Sequence, residues 1–167
     1  MAARICEQFV AIIGVVILVP IFTTEEDENI KETINAKVIS PIFVYIIRIL
    51  ISIILIVSII ALFVNTLIYL DGTFTSGRLI MGTVSSALFL GGLGLFVASL
   101  TQNVGIGYMI SIVYFVFDMM TKGKYTKNLF LFSLMNNSIK EKYYLFVAAV
   151  VLIILSLLVY WIRKINA

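Results

Sequence analysis

The sequence predicts an all-α integral membrane protein with about five transmembrane helices. A short amphipathic helix is expected between the first two spans, and a re-entrant or surface-lying element before the last. Three observations carry this. Of 167 residues, 62% are hydrophobic and only 13% charged, against about 45 to 50% and about 25% in a soluble domain. The mean hydropathy is +1.13, so the apolar excess must face lipid. Finally, the apolar residues fall into runs near the roughly 20 residues that a helix needs to cross a bilayer.

The first run, 5–22, contains Phe9 to Phe22 and gains length from Ile5 and Cys6; Pro20 near its end is better tolerated in a membrane helix than in a soluble one. Arg4 before an apolar stretch resembles a signal peptide, but Glu7 interrupts the region and Thr23-Thr24-Glu25 offers no small-residue cleavage site. The second run, 41–70, is long enough to tilt, with Arg48 in its early turns and Ser58 and Asn65 as polar groups able to bond across helices. Snorkelling to the nearer surface is the simpler reading of Arg48. The third, 79–100, is joined to the fourth, 104–120, by only Thr101, Gln102 and Asn103, which forces an antiparallel hairpin. Asp118, near the end of the fourth run, reads as interfacial. The fifth run, 143–162, ends in Trp161, Arg163 and Lys164, an aromatic and basic anchor. All of this forms one transmembrane domain, 1–167.

Small residues crowd the third span. Gly82 and Ser86, Ala87 and Gly91, and Gly94 and Ala98 are each four apart, spacing that lets helix backbones approach closely in lipid. Packing within one subunit is the simpler reading, and a dimer or pathway surface the alternative.

Between the first two spans, residues 25–38 read as an amphipathic helix. Thr24 can cap it, and four consecutive acids, Glu25, Glu26, Asp27 and Glu28, lie where the helix dipole favours negative charge. Asp27 and Lys31 are one turn apart in the favourable order, and Ile30, Ile34 and Val38 form a narrow apolar stripe. Ser40-Pro41 stops the helix. Helices that merely lie in headgroups display lysine and arginine, whereas this segment sets five acids against Lys31 and Lys37. It suits a basic protein partner.

Here the chain resembles the type-2 exporter permeases of the ATP-binding cassette class, the membrane subunits of such transporters. Glu26 and Glu28 fit that family's acidic pair after a span, Glu32 its later glutamate, and Arg48 the basic residue early in the next helix; Leu93-Gly94-Leu95-Phe96-Val97-Ala98-Ser99-Leu100-Thr101-Gln102-Asn103 is similar to its tight turn between two later spans. Asn29 and Ile30 stand where the family often has glycine and threonine, and its proline is displaced to Pro41. The family usually has six spans, whereas this chain shows five, beginning at what would be the second. The resemblance implies that Glu26, Asp27, Glu28, Ile30, Glu32, Ile34, Lys37 and Val38 couple to a separate ATPase subunit, and that permease chains pair as homo- or heterodimers in the cell membrane of a bacterium. It also implies a re-entrant helical pair on the outer side between the last two spans. There, five lysines (Lys122, Lys124, Lys127, Lys140 and Lys142) flank Leu129-Phe130-Leu131-Phe132-Ser133-Leu134-Met135, an apolar stretch too short to cross as a helix.

Two arguments about orientation disagree. Alternating sides gathers seven basic residues (Arg4, Arg78 and the five loop lysines) on one face against four (Lys31, Lys37, Arg163 and Lys164) on the other, which favours a cytoplasmic 122–142 loop. The resemblance implies the reverse, and is preferred because the acidic helix has a clear use only beside an ATPase.

The chain is not expected to be an enzyme. It has no histidine, one cysteine and no phosphate-binding Gly-x4-Gly-Lys-Ser/Thr pattern, so ATP hydrolysis would belong to the partner and neither metal nor cofactor is expected on this chain. A net charge of +3, widely dispersed, argues against nucleic acid. The rival to an exporter subunit is a non-transporting membrane accessory or bacteriocin-immunity-type protein.

Overall fold

The computed structural model describes residues 9–22, 41–71, 76–126, 129–133 and 140–166. They form five helices: α1 (Ile12–Leu18, continued by a 3-10 turn over Val19–Phe22), α2 (Pro41–Asp71), α3 (Ser76–Thr101), α4 (Val104–Thr121) and α5 (Lys140–Asn166). The described residues contain no strand. The chain is an all-α protein in which α2 to α5 are each long and apolar enough to cross a membrane. Residues 25–38, including every residue assigned to ATPase coupling, lie outside the described residues.

Of the first expected span, 5–22, the described residues cover 9–22. Its apolar helical stretch, Ile12–Ile21, covers about 15 Å at ~1.5 Å per residue, half a bilayer core. Pro20 explains the change of geometry at its end, since it has no N–H for an α-helical bond and the chain tightens into the 3-10 turn. Residues 5–8 of the expected span lie outside the described residues. What α1 lacks in length it makes up in burial: Val10, Ala11, Val15, Leu18 and Val19 are all in the core.

α3 is the hub. The other four helices pack on it, while α4 and α5 make no comparable contact with each other. Its small residues explain why. A side chain on Gly14 of α1 would collide with the backbone carbonyl of Ala87, and one on Gly91 with the Gly14 carbonyl and with Leu18 Cδ1 at 2.6 Å. On the face toward α4, a methyl group on Gly94 would lie 2.5 Å from Ser111 Oγ, and one on Gly107 2.5 Å from the Gly94 carbonyl and 3.0 Å from Ala98 Cβ. The backbones therefore touch where lipid supplies no hydrophobic drive and close packing must hold the helices together. Gly82, Ser86, Gly91, Gly94 and Ala98 are all buried, and for Gly91, Gly94 and Ala98 the neighbours are helices of the same chain.

Hydroxyl groups on α3 satisfy themselves locally: Thr83 donates to the Leu79 carbonyl at 2.8 Å and Ser85 to Met81 at 2.7 Å. Polar side chains can then sit in an apolar interior without orphaned donors. Ser58 on α2, which sequence reading offered as a bond across helices, instead donates to the Ile54 carbonyl of its own helix at 2.8 Å. Arg48 is half-buried and Asn65 exposed.

The hairpin between α3 and α4 turns at Gln102, with φ 54°, and Asn103 caps α4 by accepting from the Gly105 and Ile106 amides at 2.8 and 3.3 Å. At the same end, Arg163 of α5 donates to the Leu100 carbonyl at 2.5 Å, satisfying one of the last acceptors of α3. Tyr45 of α2 stacks on Tyr160 of α5 with ring centroids 4.8 Å apart. Outward, α2, α4 and α5 expose Leu50, Ile54, Leu62, Met109, Val113, Val147 and Ile154, as lipid-facing helices must.

Candidate functional site

The opposite end of the bundle holds a buried polar cluster drawn from three helices and the connection between α4 and α5. α4 ends where Lys122 and Gly123 take left-handed backbone angles, φ 49° and 76°, and the chain doubles back. Lys124 N–H bonds the Thr121 carbonyl at 3.0 Å and Leu129 N–H the Thr126 carbonyl at 2.8 Å. The returning turn, 129–133, inserts between α4 and α5. Phe130, Leu131, Phe132 and Ser133 are buried, with Phe132 packed edge-on against Phe115 of α4 at 5.5 Å.

Leu131 is the focus. Its N–H donates to Asp118 Oδ2 at 2.7 Å. Its carbonyl accepts from Ser86 Oγ at 3.0 Å and from Lys142 Nζ, and Lys142 Nζ also donates to Ser86 Oγ at 2.7 Å. The second Asp118 oxygen accepts from Thr126 Oγ1 at 2.5 Å, and Tyr114 OH donates to the Leu129 carbonyl at 3.0 Å. A non-helical turn has few backbone partners of its own, and here side chains of α3, α4 and α5 supply them. Ser86 lies seven positions beyond Leu79, where the apolar stretch of α3 begins, about 10 Å along the axis at ~1.5 Å per residue. The turn therefore dips into the apolar layer.

Two expectations are corrected. Asp118, read as interfacial, is completely buried (0% exposed), and Lys142, read as a loop lysine, is 3% exposed. Both changes have one cause: α5 begins at Lys140, earlier than the apolar run, and the turn folds over the end of α4. Ser86, assigned to helix packing, also belongs to this cluster. Sequence reading missed the set as a unit, although an acid inside an apolar run is itself a signal that a buried partner exists. Gly14 and Gly107, the partners of Gly91 and Gly94, were missed as well.

Among the described residues no three His, Cys, Asp or Glu side chains come together as metal ligands. The arrangement grips both backbone polar groups of Leu131, and within it the Lys142 amine and the Ser86 hydroxyl are in direct hydrogen-bond contact at 2.7 Å. No protein-family model, curated protein or solved structure matches the chain.

Proposed function

We propose that this chain is the membrane subunit of an ATP-driven exporter, coupled through its 25–38 helix to a separate nucleotide-binding subunit. The observation that carries the reading is the turn at 129–133. It enters the apolar layer between α4 and α5 and returns to the same end of the bundle, at the place where the resemblance to type-2 exporter permeases implies a re-entrant element. The tight α3–α4 hairpin and the acidic segment before α2 support the same reading. On it, the turn faces outward and the acidic helix faces the cytoplasm of a bacterial cell, with two permease chains pairing across their exposed helices.

The test is reconstitution. The chain, purified from its native membrane and placed in liposomes, is expected to bring with it an ATP-binding cassette subunit identifiable by mass spectrometry, and to hydrolyse ATP faster in that complex than the isolated subunit does. A chain that purifies without such a subunit favours the accessory-protein reading.

A further inference from the structure

We propose that α2 is the seam between two copies of this chain, held in register by hydrogen bonds between the Asn65 side chains of the two copies. That two chains pair at all belongs to the exporter reading; which surface pairs them is argued from α2 alone. Asn65 carries the argument. It is exposed on α2, inside the apolar span Ile42–Leu67, and six positions, about 9 Å at ~1.5 Å per residue, separate it from Asp71, the next charged residue. The exposed hydroxyls of the same helix are satisfied within it: Ser58 donates to the Ile54 carbonyl at 2.8 Å and Thr66 to the Leu62 carbonyl at 2.9 Å. The Asn65 carboxamide, with two N–H donors and an acceptor, has no hydrogen-bond partner among the described residues, and lipid tails offer it none.

A second copy fits this face for three reasons. Copies of one chain insert the same way up, so both Asn65 side chains stand at one depth, and about a two-fold axis each interface residue meets its own counterpart. A carboxamide is self-complementary, donor to acceptor in both directions. The rest of the face agrees: Ile51, Leu55, Ser58, Leu62, Asn65 and Tyr69 follow one another by four and three residues, and all are exposed. This is the 3.5-residue spacing of two parallel helices packed side by side, in which a single Asn fixes the register. The buried residues of α2, Tyr45, Ile49, Ile56, Ile60 and Val64, lie on its opposite side. Exposed stripes of the same spacing occur on α4 (Met109, Val113, Val116) and α5 (Val147, Val151, Ile154), but these are apolar throughout, and lipid tails solvate them as well as another helix would. Spacing does not choose among the helices. Asn65 does.

Cysteine cross-linking tests the seam. In a Cys6→Ser background, single cysteines are placed in the full chain in its native membrane, and copper–phenanthroline oxidises those that meet. Leu55→Cys and Leu62→Cys should give disulfide-linked dimers. Leu50→Cys and Val57→Cys, exposed on the flank of the same helix, should give at least fivefold less. Adding Asn65→Leu should lower the Leu62→Cys yield at least fivefold, and adding Asn65→Gln should preserve most of it. Since Asn65 makes no bond within the described chain, Asn65→Leu should leave the melting temperature of the detergent-solubilised monomer unchanged, which separates lost pairing from lost folding. Equal yields on seam and flank, or full pairing by the Asn65→Leu variant, would overturn the proposal. So would a marked fall in the monomer's melting temperature, because Asn65 would then be bonded within its own chain. Cross-linking through Val113→Cys on α4 or Ile154→Cys on α5 in place of α2 would also overturn it, yet leave a paired exporter standing. A chain that cross-links through α2 but purifies without an ATPase supports the seam and removes the exporter reading.

Discussion

Asp118 and Lys142 hold the two backbone polar groups of one residue, on successive peptide groups: the carboxylate accepts the Leu131 N–H at 2.7 Å, and the ammonium donates to the Leu131 carbonyl. This arrangement has a direction that a simple ion pair lacks. Exchanging the charges would aim an ammonium at an N–H and a carboxylate at a carbonyl oxygen, so Asp118→Lys combined with Lys142→Asp is expected not to rescue either single change. Removing one member of a buried charge pair costs about 3 to 5 kcal/mol. Thermal melting in detergent should therefore show Lys142→Met and Asp118→Asn both well below wild type and the exchange variant no better. A double variant of wild-type stability would mean that the two charges act directly on each other.

The contact between α1 and α3 predicts a sharp contrast between glycines. Gly14→Ala places a methyl group against the Ala87 backbone, which cannot swing aside as a flexible side chain would. Overpacking of this kind costs about 1 to 3 kcal/mol. Gly77, near the start of α3, has nothing within 4 Å of its would-be methyl group, and Gly77→Ala should be neutral or stabilising by up to about 1 kcal/mol. Melting temperatures of the two variants check this; a silent Gly14→Ala would mean that α1 does not dock as described.

The long spans were legible because lipid imposes one rule, an uninterrupted apolar run, and α2, α3 and α4 begin and end within three residues of those runs. The α3–α4 hairpin was legible for a similar reason, since three residues leave no other path. Periodicity also picked out Gly91, Gly94 and Ala98, but a small residue does not name its neighbour, so Gly14 and Gly107 went unseen. The clamp was hidden for a different reason. Lys142 looks like one of five loop lysines, and what distinguishes it is that α5 starts early and aims it inward. Asp118 stood close enough to the end of an apolar run to pass for an interfacial group. Only the fold-back of the turn, driven by burial of Phe130, Leu131 and Phe132, makes that end interior.

Orientation can be read directly. With Cys6 replaced by serine, Glu28→Cys should react with an impermeant maleimide only from the cytoplasmic side and Asn137→Cys only from outside. The reverse pattern would agree with the positive-inside count and would remove the coupling role from the acidic segment.

The last prediction concerns how that segment would hold an ATPase. Its acids are expected to act at an exposed surface, where each ion pair contributes about 0 to 1 kcal/mol, whereas burying an isoleucine side chain contributes about 1.5 to 3 kcal/mol. Binding energy should therefore reside in the Ile30, Ile34 and Val38 stripe. Ile34→Asp is expected to abolish co-purification of the ATPase while the protein still accumulates in the membrane, and Glu25→Gln to be nearly silent. If Ile34→Asp instead prevents accumulation, the stripe packs against this chain's own helices. If the ATPase still co-purifies with Ile34→Asp, the stripe is not its docking surface, and the contact must be sought elsewhere on the same face, beginning with the Thr101-Gln102-Asn103 turn. That turn lies at the Pro41 end of the bundle, because α2 and α3 carry the chain across and back again before it.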